Sequence, residues 1–156
     1  MKKFILTLLL TLFSSLGALA QTKLYEACRS DSQFECVFIG KAMLRMVNSH
    51  KLHVKGMDLN TVIEKLESIE VISTEKAKAS TKLNEMITKE FAPEKKYEIM
   101  MEAKDEEDTV TIYCRKLNDK TNEYVLVNAY TGDHETTVII LTGSITPEDL
   151  KNLRRL

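Results

Sequence analysis

The chain has no tryptophan, and aromatic residues make up only 6% of its 156 positions. Surfaces that read sugars usually stack rings on indole or phenol faces, so a carbohydrate-binding role is disfavoured. Proline and glycine are scarce, at 2 and 5. No linker, internal repeat or low-complexity tract divides the chain, which points to one domain. The three cysteines, Cys28, Cys36 and Cys114, contain no C-x-x-C pair. That removes the signatures of a thioredoxin-like redox site and of a zinc ribbon. Basic residues form no stripe, so nucleic acid is not an expected partner.

What is present begins with an address. Lys2 and Lys3 precede an apolar run from Phe4 to Phe13, and small residues follow to Ala18-Leu19-Ala20. This is the three-part pattern of a secretory signal, with cleavage expected between Ala20 and Gln21. The apolar run is short for a bilayer span, and no second run of about 20 apolar residues follows. Gln21 stands where a lipoprotein would carry its anchor cysteine. Residues 1–20 are therefore read as a signal peptide and 21–156 as a single α+β domain, periplasmic or secreted. Without Lys2 and Lys3, 20 basic residues face 23 acidic ones, a balance of −3.

Within the mature part, Ser32-Gln33-Phe34-Glu35 has the form of a capping box. Cys36, Ile39, Met43, Met46, Val47 and His50 then recur at helical spacing, which predicts a helix from Ser32 to about His50. Asp58–Leu66 reads as a short helix and Ser68–Ser73 as a short strand. Thr74 can cap a further helix with Ala79, Leu83, Met86, Ile87 and Phe91 on its inner side, and Pro93 follows its end. From Tyr97 the period changes to two. Tyr97, Ile99, Met101 and Ala103 alternate with Glu98, Met100 and Glu102. Three more strand-like runs follow, at 110–115, 124–130 and 136–142, joined by turn chemistry such as Asp105-Glu106-Glu107-Asp108 and Thr131-Gly132-Asp133. The expected fold is α+β: an antiparallel sheet of about four to five strands ending in a meander. N-terminal, middle and C-terminal helices pack mainly on one face of it.

Few residues invite chemistry. Met43, Met46 and His50 share the expected helix face, with Cys36 upstream and His53 just beyond. Thioether, imidazole and thiol together suit copper(I). The same spacing is the period of a buried stripe, and that bland reading is favoured. Cys28 and Cys36 are close enough in sequence for a local disulfide in an oxidising compartment. Cys114 and His134 could pair as thiol and imidazole only if the fold joined them, and a small buried strand residue is the simpler reading of Cys114. Ser144 follows a strand but lacks the G-x-S-x-G frame of a nucleophile elbow. Thr146-Pro147-Glu148-Asp149 next to it is a helix start. The acidic turn at 105–108 lacks the spaced oxygens and glycine of a calcium loop. No catalytic constellation and no cofactor motif is found.

Several phrases together resemble the domain of unknown function 4252 family. They are KAMLRM (41–46), LESIEVISTEK (66–76), YEIMMEAKDEEDTVTIYCRK (97–116) and LTGSITPEDLKNL (141–153). The resemblance implies a small exported α+β domain of the Bacteroidota type with no assigned activity. It supplies no catalytic residues to transfer. Many members look like lipoproteins, and Gln21 departs from that pattern. The expected role is binding rather than catalysis, with an envelope protein as partner and no integral membrane span after signal removal. A periplasmic copper-binding role through Met43, Met46 and His50 is the alternative.

Overall fold

A computed structural model describes residues 21–47, 52–106, 108–130 and 135–153. A short helix α1 (Lys23–Cys28) comes first, capped by Thr22, whose Oγ1 accepts from the Tyr25 amide at 3.2 Å. Strand β1 (Glu35–Gly40) and helix α2 (Lys41–Leu44) follow. A two-residue hairpin, β2 (His53–Val54) and β3 (Met57–Asp58), leads to a 3₁₀ turn at Ile63–Lys65. Then come β4 (Leu66–Thr74), α3 (Ala77–Glu90), β5 (Glu98–Lys104), β6 (Asp108–Lys116), β7 (Asn122–Tyr130), β8 (Thr136–Gly143) and α4 (Pro147–Lys151).

The main sheet has six strands in the order β1-β4-β8-β7-β6-β5, and every neighbouring pair is antiparallel. The C-terminal meander is as expected, and it gains two strands. One is β4, read from the sequence. The other is β1, which lies where a helix is expected from Ser32. Cys36-Val37-Phe38-Ile39 is a β-branched and aromatic run, and β4 offers it an open edge from Ser73 to Ser68. Pairing with that edge overrides the helical spacing, which then survives only as the single turn of α2. Asp58–Leu66 is likewise not a helix. Asp58 ends β3, and helical backbone is confined to the 3₁₀ turn.

The central strands β4 and β8 are apolar on both sides, so the sheet is covered on both faces. On one face α1 and α3 bury Leu24, Cys28, Leu83, Ile87 and Phe91 against Ile72, Val125, Val138 and Ile140. On the other, Leu44, Leu59, Val62, Ile63 and Ile145 pack on Ile69, Val71, Ile139 and Leu141, with Leu150 and Leu153 beside them. The longer helices thus share one face, while α2, α4 and the loops close the second.

At the end of β8, a Cβ on Gly143 would lie 2.1 Å from the Lys65 carbonyl oxygen, so only glycine fits. The Ser144 amide donates to that carbonyl at 2.9 Å. α4 then opens with the expected capping box. The Asp149 amide donates to Thr146 Oγ1 at 3.2 Å, and the Thr146 amide donates to Asp149 at 2.8 Å.

Candidate functional site

The described residues of the expected metal face fall on separate elements. Cys36 lies on β1, Met43 on α2 and Met46 in the turn after it. Met43 and Met46 are 56% and 81% exposed, so the buried-stripe reading of them is also corrected. His50 and His134 lie outside the described residues. His53 is exposed on β2. Among the described residues, no group of three or more His, Cys, Asp and Glu is placed to hold a metal ion.

Cys28, Cys36 and Cys114 are free thiols. Cys28 is fully buried between α1 and the sheet, and burial, with smaller contributions from Cys36 and Asp31, pushes its thiol up to about 12. A thiol so protonated is a poor nucleophile at neutral pH. Burial raises Cys36 and Cys114 as well. Ser144 is exposed, and its Oγ donates to the Lys65 carbonyl at 3.5 Å. It belongs to the strand-to-helix hinge.

A cluster of titratable groups stands at the base of β7, on the face that α1 and α3 cover. The Tyr97 hydroxyl donates to Glu123, and Arg115 donates to the same carboxylate oxygen at 3.0 Å. The Arg115 guanidinium lies 4.4 Å from the Tyr97 ring centre. Burial, reinforced by Glu123, raises the Tyr97 hydroxyl far above its ordinary range. Glu123, only 4% exposed, accepts from both groups, while the buried Arg115 Nε has no hydrogen-bond partner among the described residues. The arrangement ties Tyr97, just before β5, to β6 and β7. Two strands away on the same face, Glu70 is 3% exposed and accepts from the Thr22 amide at 2.9 Å and from the Thr22 hydroxyl. Burial raises its carboxyl, and the Thr22 hydrogen bonds oppose that rise.

The open surface lies at the other extreme of the sheet. β5 is an edge strand, and every residue from Glu98 to Lys104 is exposed. Ile99, Met100 and Met101 expose 58%, 40% and 46% of their surface. The strict alternation read from the sequence fails at a bulge. Ile99 faces Tyr113 and Met101 faces Ile112, so Met100 is the extra residue. The bulge turns Met101 and Ala103 onto the sheet face opposite Tyr113. There they join Met57, Ile112, Leu126 and Leu153 around an apolar groove of about 350 Å³. A larger hollow of about 610 Å³ is lined, among the described residues, by Thr81, Asn84, Glu85, Thr88 and Lys89 of α3. The sequence signal for the β5 surface lies in YEIMMEA, whose period of two does not say that both of its faces stay exposed.

The profile of the family described as "domain of unknown function (DUF4252)" matches residues 25–153. The chain belongs to this family. The match runs from α1 to just past α4, so the whole six-stranded sheet and both its covers are the DUF4252 unit. Comparison with curated proteins and with solved structures returned no match. Among the described residues, no helix is long and apolar enough to cross a membrane.

Proposed function

We propose that this DUF4252 chain is an exported protein of the cell envelope that acts by binding, and that β5 with its adjoining groove is the binding surface. One observation carries the reading: an edge strand exposed along its whole length, with three large apolar side chains in the open. Exposed edges are usually blunted, because unpaired N–H and C=O groups are a template for another strand. An extended segment of a protein partner would add to β5 through main-chain hydrogen bonds, and the groove would select its side chains. The export signal at 1–20 supports the location.

The test is cross-linking in the cell envelope with the native chain and with Met101→Asp. The reading expects processing between Ala20 and Gln21, and a partner captured by the native chain and lost with Met101→Asp while the fold stays intact. Equal capture by the variant, or a chain retained in the cytoplasm, would defeat it.

The exposure of Met43 and Met46 favours a second reading, soft-metal binding at α2. Copper(I) titration decides it: stoichiometric binding lost in Met43→Leu/Met46→Leu supports it, and no binding removes it.

A further inference from the structure

We infer that the partner strand at β5 is a second copy of this chain, paired antiparallel about a twofold axis at Ala103. The inference rests on the reading of β5 as a binding edge and names its occupant.

The hairpin turn fixes which backbone groups are free. The Asp105 amide donates to the Asp108 carbonyl at 3.0 Å, so Asp105 and Asp108 are a hydrogen-bonded pair. In an antiparallel ladder such pairs alternate with non-hydrogen-bonded ones. The register Lys104↔Thr109, Ala103↔Val110, Glu102↔Thr111, Met101↔Ile112 therefore turns Met101 and Ala103 inward to β6. Glu102 and Lys104 point both N–H and C=O out from the sheet. The outward backbone groups thus belong to one acid and one base, two residues apart. Neither makes an ion pair among the described residues.

A twofold axis at Ala103 sets Glu102 opposite the partner's Lys104, and Lys104 opposite the partner's Glu102. Both are hydrogen-bonded positions, so four backbone hydrogen bonds form, and two cross-strand acid–base pairs stand on the same face. Ala103 then meets its own copy at a non-hydrogen-bonded position, where the Cα atoms come within about 4.5 Å and a small side chain suits the crossing. Other centres fail. An axis at Glu102 sets acid against acid, and an axis at Lys104 sets base against base. On the opposite face, Met101 and Ala103 of the two copies adjoin, and the two apolar grooves become one trough across the axis. The bulge at Met100 ends the regular stretch, so the contact is short and the dimer weak. The same charges and bulge deter an arbitrary strand, which makes the edge selective.

Sedimentation velocity of the purified, exported chain over a range of concentrations tests this. The expected result is a monomer–dimer equilibrium. Glu102→Lys or Lys104→Glu alone weakens it by about tenfold or more, through like charges set opposite each other. The double charge swap restores it. Ala103→Cys adds a disulfide-linked dimer under oxidation, absent from the native chain. A monomer at all concentrations, open-ended assembly, or a dimer indifferent to both single swaps would overturn the inference. If the chain is monomeric while Met101→Asp still abolishes partner capture, the binding reading stands and only the identity of the occupant falls.

Discussion

At the scale of single residues, two carboxylates have opposite pH signatures. Asp149 is held down to about 2, first by the Lys65 ammonium at 2.7 Å and then by the Thr146 amide. A depressed folded value gives stability that is present above the ordinary carboxylate range and is lost as pH falls from about 4 towards 2. Asp149→Asn is expected to cost about 1 kcal/mol at neutral pH, the size of a helix-cap contribution, and to flatten that acid limb in chemical denaturation. Glu70 has the reverse sign. Its folded carboxyl is raised by burial, so the folded state holds the proton more tightly, and stability falls as pH rises from about 4 through the raised value. Glu70→Gln keeps an acceptor for the Thr22 amide and is neutral at all pH. Its melting temperature relative to the native chain should increase from pH 4 to pH 7. A relative melting temperature unchanged across that range would show that Glu70 ionises as freely as in the unfolded chain.

The elements show what periodicity can and cannot decide. The junction of β8 with the Lys65 turn tolerates no side chain at 143. Gly143→Ala should lower stability by roughly 3 kcal/mol or more, because the obstructing atom is backbone. α3, with Leu83, Ile87 and Phe91 inward, was legible from its 3.6 spacing, β4 from an apolar run, and the meander from strand-like runs separated by turn residues. β1 was not. A six-residue stretch such as Glu35–Gly40 satisfies either period, and the free edge of β4 chose between them. The bulge at Met100 was equally hidden, because one extra residue changes no residue type, only the face each one occupies. Amide exchange checks the edge directly. The Glu102 and Lys104 amides should exchange faster than those of Met101 and Ala103 in dilute solution, and should gain protection as concentration rises.

At the scale of the whole molecule, β1 and β5 are the edges of the six-stranded sheet among the described residues, and of these β5 is the one exposed along its whole length. Val37 and Phe38 of β1 are 51% and 38% exposed, but α1 leans on that edge, with Tyr25 and Phe38 ring centres 6.1 Å apart. Binding and stability should therefore separate. Met101→Asp adds charge to an already exposed position and should change unfolding free energy by less than about 0.5 kcal/mol while abolishing partner capture. The corresponding charge in the core, Ile140→Asp, should prevent folding, since it buries an unpaired carboxylate between α3 and the sheet.

The sequence by itself determined the mixed α+β class, the meander, the glycine hinge with its capped helix, and membership of DUF4252. The first three depend on local patterns of period, cap and turn, and the last on a resemblance carried by segments along the chain. The tertiary structure decided the sixth strand, the double cover of the sheet, the exposure of Met43 and Met46, and the open face of β5. Each of these depends on which surface is left over after the core is packed. That quantity is set by long-range pairing and has no local signature.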